Sequence, residues 1–211
     1  MSLTQDIFEA VVAGDQVGAD RLVLQALEGG MPAEAVLGEG LIAAMTEVGA
    51  RFECGEYFVS DMLISARAMK AAMERLRPHL VARDVKPIGT VVIGTVQGDL
   101  HDIGKNLVAL MLEGAGFRVI DLGVDVRPET FVQTAREMGA DLVALSALLT
   151  TTMVSMQGVV DALKKAGLHG RVKVLVGGAA ITQAVADHIG ADGFAPDAAM
   201  AASRARQLVG I

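Results

Sequence analysis

Two periods divide the chain. Over residues 1–76 the apolar positions recur every three or four residues, the spacing of one helix face. Asp6, Ile7, Phe8, Ala10, Val11 and Val12 form a short amphipathic segment. Asp15 is placed to cap a second helix through Leu27, which Gly29, Gly30 and Pro32 stop. Leu37, Leu41, Met45, Val48 and Phe52 line one face of a third helix, and Met62, Ala66, Met69, Met73 and Leu76 one face of a fourth. Four helices of this length predict a small bundle. Residues 77–87 hold two prolines and mixed charges and read as a linker.

From Ile88 the pattern changes. Ile88–Val96 is an apolar, β-branched run, followed by a helical stretch Gly104–Gly114 and a short strand Arg118–Leu122. Pro128 stands where a helix begins, and that helix runs to about Met138. Leu142–Leu145, Val172–Val176 and Gly193–Phe194 are the later strands, with helices between them and after the last. Five strand–helix alternations predict a Rossmann-like (flavodoxin-like) α/β domain whose five-stranded parallel sheet is covered on both faces. The expected division is a helical domain with its linker over residues 1–87 and the α/β domain over 88–211.

Composition sharpens this picture. Hydrophobic residues make up 52% of the chain, enough for a sizeable core, yet aromatics are only 3%. Ala, Val, Leu, Gly and Met carry the apolar load, which suits helices and buried parallel strands better than a β-sandwich. The formal charge of −7 argues against nucleic acid as a partner, because phosphate binding needs clustered Lys and Arg. No uninterrupted apolar stretch of ~18 residues appears, so no membrane span is expected. No cationic stretch followed by an apolar core opens the sequence, so a cytoplasmic protein is expected. The single Cys54 excludes an intrachain disulfide and a Cys-based zinc site.

Ligands of such folds sit beyond the carboxyl ends of the strands. The first strand exits into Gln97-Gly98-Asp99-Leu100-His101-Asp102-Ile103-Gly104. Gly98 permits a sharp exit, and Gly104 permits a close approach by backbone or ligand. A His paired with a carboxylate two residues away is a usual support of metal sites, and the plain alternative is a surface His in a polar loop. His79, His169 and His188 bring no second ligand at metal-binding spacing. A metal held by His101 should therefore bring equatorial ligands in a macrocycle, and haem and corrinoid both qualify. The third strand exits into Ser146-Ala147-Leu148-Leu149-Thr150-Thr151-Thr152, where hydroxyls suit a ribose or heteroaromatic ring, or else cap the next helix, and at least one is expected to cap. Gly177 and Gly178 after the fourth strand leave room for a bulky group, or make a tight turn. Neither a phosphate-binding Gly-rich loop nor a serine-hydrolase elbow is present.

Gly98-Asp99-Leu100-His101-Asp102-Ile103-Gly104 resembles the D-x-H-x-x-G motif of corrinoid-binding proteins. Ser146, Thr150 and Thr152, then Gly177-Gly178, resemble its two companion motifs, and Ala195-Pro196-Asp197 also resembles the family. The helical half, with Gly40-Leu41, Met45, Gly49, Phe52, Gly55 and Phe58, is similar to the cap that precedes the corrinoid domain of cobalamin-dependent methionine synthase. Nearly the whole chain is covered, in the layout of the corrinoid proteins of methanol, methylamine, betaine and aryl-ether methyltransferase systems.

The resemblance implies a cobalamin or related corrinoid bound base-off and His-on. His101 would be the lower axial cobalt ligand, Asp99 would hydrogen-bond it, and Thr152 would extend that relay. Ser146 and Thr150 would line the pocket of the displaced nucleotide tail, with Gly177 and Gly178 along its slot, and Leu148 would be a further cofactor contact. Gly98, Leu100, Asp102, Ile103, Gly104, Ala195, Pro196 and Asp197 would complete the cofactor contacts. Phe52 and Val59 would lie over the upper corrin face. Ser60 departs from the Pro that relatives often have after Val59, and Phe194 from a frequent Tyr.

The implied role is a methyl carrier, not a complete enzyme alone. It would take the methyl group from a substrate-specific methyltransferase, hold it as methyl-Co(III), and deliver it to an acceptor methyltransferase of tetrahydrofolate or coenzyme M type. A reductive activase is a further implied partner. A mutase subunit shares the D-x-H-x-x-G half but lacks the helical cap. A corrinoid-dependent sensor shares both halves but usually has a Trp-containing cap, and this sequence has no Trp.

Overall fold

The computed structural model describes residues 2–82 and 86–210. They form two compact units, Met1–Lys86 with Gly114–Gly116, and Pro87–Glu113 with Phe117–Ile211.

The first unit is helical. Its elements are α1 (Leu3–Val12), α2 (Gln16–Glu28), α3 (Ala33–Ala35), a π-helical segment (Val36–Ile42), α4 (Ala43–Glu53) and α5 (Val59–Ala82). Ser2 caps α1 and Asp15 caps α2, each side-chain oxygen accepting from an amide in the first turn. Ile7, Val11, Val23, Leu41, Met45, Val48, Met62 and Leu76 make the core. The Val12 carbonyl at the end of α1 accepts from Tyr57 Oη and Ser65 Oγ, both at 3.1 Å, so a helix end is satisfied by α5 and the turn before it.

Two expectations are corrected here. The even four-residue spacing from Leu37 to Leu41 does not mark the buried face. Val36 and Leu41 are fully buried, five residues apart, while Leu37 is half-buried. The backbone widens by one residue per turn over Val36–Ile42, which shifts the face. The stretch read as a linker is helix as far as Ala82, with Pro78 inside it. Leu80 continues the buried stripe one turn beyond Leu76, and that packing outweighs the amide that proline removes. Residues 83–85 of the expected linker lie outside the described residues.

The second unit alternates strand and helix: β1 (Thr90–Thr95), α6 (Ile103–Gly114), β2 (Arg118–Asp121), α7 (Pro128–Met138), β3 (Leu142–Ser146), α8 (Met153–Lys165), β4 (Lys173–Gly177), α9 (Gln183–Ile189), β5 (Gly193–Ala195) and α10 (Ala198–Val209). A 3-10 turn, Thr150–Thr152, precedes α8. All pairings are parallel, in the order β2-β1-β3-β4-β5. Buried β-branched runs suit such strands, whose side chains are covered on both faces.

Val92, Val96, Val143, Leu145, Val174 and Val176 form one face of the sheet, with Phe131, Met156, Val160, Leu163 and Ile189 over them from α7, α8 and α9. Gly94 sits in that face because a Cβ there would lie 2.8 Å from the Phe131 ring. The chain steps from β1 outward to β2, then returns past β1 to β3. Right-handed crossovers therefore put α6 on the face opposite α7, and the loops after β1 and β3 diverge. The cleft between them is where such folds bind ligands. Among the described residues, no helix is long and apolar enough to cross a membrane.

Candidate functional site

The loop after β1 turns at Gly98, whose φ of +86° few side chains tolerate. The Asp99 amide donates to the Val96 carbonyl, 3.1 Å, and closes the turn. Asp99 is thereby driven inward and is fully buried, while Leu100 and His101 face solvent.

Every oxygen of the buried carboxylate is occupied. Oδ1 accepts from the His101 amide at 3.1 Å and pairs with His101 Nδ1 at 2.7 Å. Oδ2 accepts from the Leu148 amide at 2.8 Å, the Leu149 amide at 3.3 Å and Thr152 Oγ1 at 2.8 Å. Thr152 has one hydroxyl proton, and the charged acceptor takes it; the nearby Leu149 carbonyl already receives the Thr152 amide. Burial alone pushes the Asp99 carboxyl up. Hydrogen bonds from the His101 amide and ring, the Leu148 amide and the Thr152 hydroxyl outweigh it, and hold the carboxyl well below the usual carboxylate range.

A carboxylate only accepts, so His101 Nδ1 carries a proton toward Asp99, and in the neutral ring the lone pair lies on Nε2. The ring is 52% exposed, and no hydrogen bond of the described residues engages Nε2. The imidazole is thus held at one nitrogen and faces outward with the other. Among the described residues, no group of three or more His, Cys, Asp or Glu is placed to hold a bare metal ion. The surroundings of His101 are apolar instead: Leu100 and Ile103 are strongly exposed on its own loop, and Leu148 and Leu149 are exposed on the loop after β3. Exposed large apolar side chains gathered at strand ends mark a binding surface.

The other expected residues line the same sheet edge. Ser146 stands opposite Gly177 in the β3–β4 register. A Cβ on Gly178 would lie 1.9 Å from the Ala147 carbonyl oxygen, and one on Gly177 would lie 3.0 Å from that of Ala195. Both glycines therefore let backbones close up between β3, β4 and β5. Gly104 differs: a Cβ there would meet nothing within 4 Å. Thr150 is exposed, and Asp102 accepts from Asn106 Nδ2 at 3.1 Å. Pro196 is exposed, and Asp197 caps α10 by accepting from the Met200 amide at 2.8 Å.

The expectation that a hydroxyl of 150–152 caps α8 is corrected. Neither the 3-10 turn nor α8 has a side-chain cap, because Thr152 turns to Asp99 instead. Phe52 and Val59 belong to the helical unit, at the end of α4 and the start of α5. Phe52 is half-buried, and Val59 and its neighbour Phe58 are exposed.

Residues that the sequence did not single out also hold the loop. Thr95 Oγ1 donates to the His101 carbonyl at 2.8 Å. Asp125 accepts from the Gly98 amide at 2.7 Å. Lys105, almost fully buried, reaches Asp121. An Asp four residues past a strand gives no sequence signal of such contacts. The Gly-Lys-Asn run after the histidine, with a cation on the first turn of a helix, is the one feature that points to a buried partner.

A family model described as B12 binding domain matches residues 89–203, and a second model of that description matches residues 3–77. The dimethylamine corrinoid protein 2 of Methanosarcina acetivorans is 43% identical over 98% of this chain and 96% of its own length. A solved structure of a cobalamin-binding protein from Desulfitobacterium hafniense has a TM-score of 0.83 at 34% identity and covers 99% of each chain. A chain of the methanol:cobalamin methyltransferase complex from Methanosarcina barkeri has a TM-score of 0.87 at 29% identity, over 98% of this chain and 79% of that one.

Proposed function

This chain belongs to the B12-binding family, and from that premise we propose that it is the methyl-carrying corrinoid protein of a methyltransferase system. It binds a corrinoid, cobalamin or a close relative. One observation carries the finer reading: a single imidazole, its Nδ1 fixed by a buried carboxylate and its Nε2 free, stands among exposed leucine and isoleucine side chains. That donor set fits a metal whose equatorial ligands come with a large, largely apolar ring, and it fits no bare ion.

In this reading His101 Nε2 would hold the cobalt in place of the cofactor's own base. Asp99 keeps the proton on Nδ1, and Thr152 with the Leu148 and Leu149 amides keeps Asp99 ionised. Ser146 and Thr150 line the recess for the displaced nucleotide, with Gly177 and Gly178 at its floor. Gly98, Leu100, Asp102, Ile103, Gly104, Leu148, Ala195, Pro196 and Asp197 frame the rest. Phe52 and Val59 supply apolar surface that protects the cofactor from solvent and oxidants.

When bound, cobalt supplies both the nucleophile that accepts a methyl group and the centre that gives it up. A substrate-specific methyltransferase is the donor-side partner, which the similarity to a chain of a methanol:cobalamin methyltransferase complex supports. The acceptor-side partner is a methyltransferase of tetrahydrofolate or coenzyme M type, and a reductive activase is a third. The functional division follows residues 1–87 and 88–211.

The deciding experiment is electron paramagnetic resonance of cob(II)alamin bound to protein labelled with nitrogen-15 in histidine. Doublet hyperfine structure from the labelled nitrogen is expected. Triplets from nitrogen-14 would mean that the cofactor's own base stays on cobalt, and the His-on reading would be wrong.

Gly104→Ala supplies a second check. A methyl group there meets nothing in the protein, and alanine suits the first turn of α6 better than glycine by about 0.5–1 kcal/mol. The variant is expected to unfold at the same or higher urea concentration, yet to bind cobalamin more weakly, because the space belongs to the ligand. Unchanged affinity would remove Gly104 from the site.

A further inference from the structure

The loop that carries His101 is fastened at both ends by the last residue of β2 and the segment that follows it. At its start, the Gly98 amide donates to Asp125 Oδ1 at 2.7 Å, and the Asp125 amide donates back to the Asp99 carbonyl at 3.0 Å. At its end, Lys105 Nζ reaches Asp121 Oδ2 and, at 2.7 Å, Asn106 Oδ1. Asn106 in turn donates to Asp102, the residue after the histidine.

The fastening segment is itself anchored to the sheet. The Thr95 amide donates to the Gly123 carbonyl and the Val126 amide to the Thr95 carbonyl, both at 3.0 Å, while the Gly123 amide donates to Asp121 Oδ1 at 2.8 Å. Asp125 holds φ of +54°, the one non-glycine residue with positive φ among the described residues. Asp tolerates that region better than most residues, but it still stores backbone strain. A strained residue whose side chain and amide both clasp the neighbouring loop is kept for what the clasp does.

We propose that Asp125 and Lys105 are positioning residues that hold the Gly98–Lys105 loop so that His101 Nε2 is presented at one fixed height and angle. This rests on the reading of His101 as axial ligand. The clasp touches neither the imidazole nor its carboxylate side chain. It fixes the backbone from which both project, and so decides how well the histidine competes with the cofactor's own base for cobalt. Outer partners of metal-bound histidines characteristically alter affinity in this way.

The test uses the full chain labelled with nitrogen-15 in histidine and loaded with cob(II)alamin. Asp125→Gly suits the positive φ and removes the side-chain half of the clasp, the acceptor of the Gly98 amide, while the backbone bond to the Asp99 carbonyl stays. Lys105→Met keeps the buried stem and removes the ammonium, so it serves if the glycine variant does not fold. In either variant, nitrogen-14 triplets are expected to replace part of the histidine doublet, with cobalamin bound ~10-fold more weakly. Asp125→Asn keeps an acceptor oxygen and the tolerance for positive φ, and is expected to restore the doublet. An intact histidine doublet in the folded variants, even with lower melting temperature or affinity, marks a merely structural role and overturns the proposal. A wild-type sample without the doublet instead defeats the axial-ligand reading on which it rests.

Discussion

Asp99→Asn is expected to abolish ligation by His101 at neutral pH while leaving a folded chain. The argument is one of proton placement. An amide has one accepting and one donating end, whereas every group around Asp99 donates. If the amide nitrogen faced the β3 side, the Leu148 and Leu149 amides would both lose their acceptor. If it faces the loop side, only the His101 amide is left unpaired, because the imidazole can change tautomer. Nδ1 then accepts from the new amide, and the proton moves to Nε2. That nitrogen can no longer bind a metal.

The second arrangement loses fewer bonds and is the one expected. One buried donor without a partner and weaker neutral hydrogen bonds cost about 2–4 kcal/mol of stability. Urea unfolding of the cofactor-free variant reads that cost. Electron paramagnetic resonance of the cob(II)alamin complex reads the ligand, and a full histidine signal in the asparagine variant would refute the tautomer argument.

Gly178→Ala is expected to be the most damaging single methyl group in the α/β unit. The new Cβ would lie 1.9 Å from the Ala147 carbonyl oxygen and 2.9 Å from its carbon, at a φ of +133°. The neighbour is backbone, so no side chain can rotate out of the way. Strain of about 1–3 kcal/mol from the dihedral adds to about 1–3 kcal/mol from overpacking. The loop after β3 must shift, and Leu148, next to Ala147, carries the amide that Asp99 accepts. A much lower urea midpoint and loss of the histidine signal are expected together, where Gly104→Ala keeps its stability. A midpoint near that of the wild type would show that the two strand exits are not tightly closed.

The α/β unit was readable because its signals are local. Runs such as Val91-Val92-Ile93 and Leu142-Val143-Ala144-Leu145 are too apolar for exposed strands, and Pro128 marks a helix start by its own chemistry. The helical unit hid two features. A π turn does not follow the 3.6-residue period, so Val36 could not be told from Leu37. Pro78 carries the signature of a break, and only the burial of Leu80 reveals that the helix continues.

Within the site, Asp99 and His101 were legible as a pair, and their relation to Thr152 came from the family resemblance. Thr95, Lys105, Asp121 and Asp125 act through contacts across strands whose pairing a single sequence does not display. Asp197 came from the resemblance alone, and its role as the N-cap of α10 is a further contact that the motif does not display.

The buried carboxylate also orders events while the chain is being made. Its partner Thr152 lies 53 residues further along than Asp99, and the Leu148 amide 49 residues further. As synthesis proceeds, His101 emerges long before the groups that fix its carboxylate. Until β3 has docked beside β1, Asp99 is a solvated side chain in a loose loop and the imidazole has no set proton. Nascent chains shorter than about Thr152 therefore hold the histidine but not the ligand, and a corrinoid arriving early finds nothing organised to bind. Loading is therefore expected to be late, following closure of the central strands rather than the appearance of the motif.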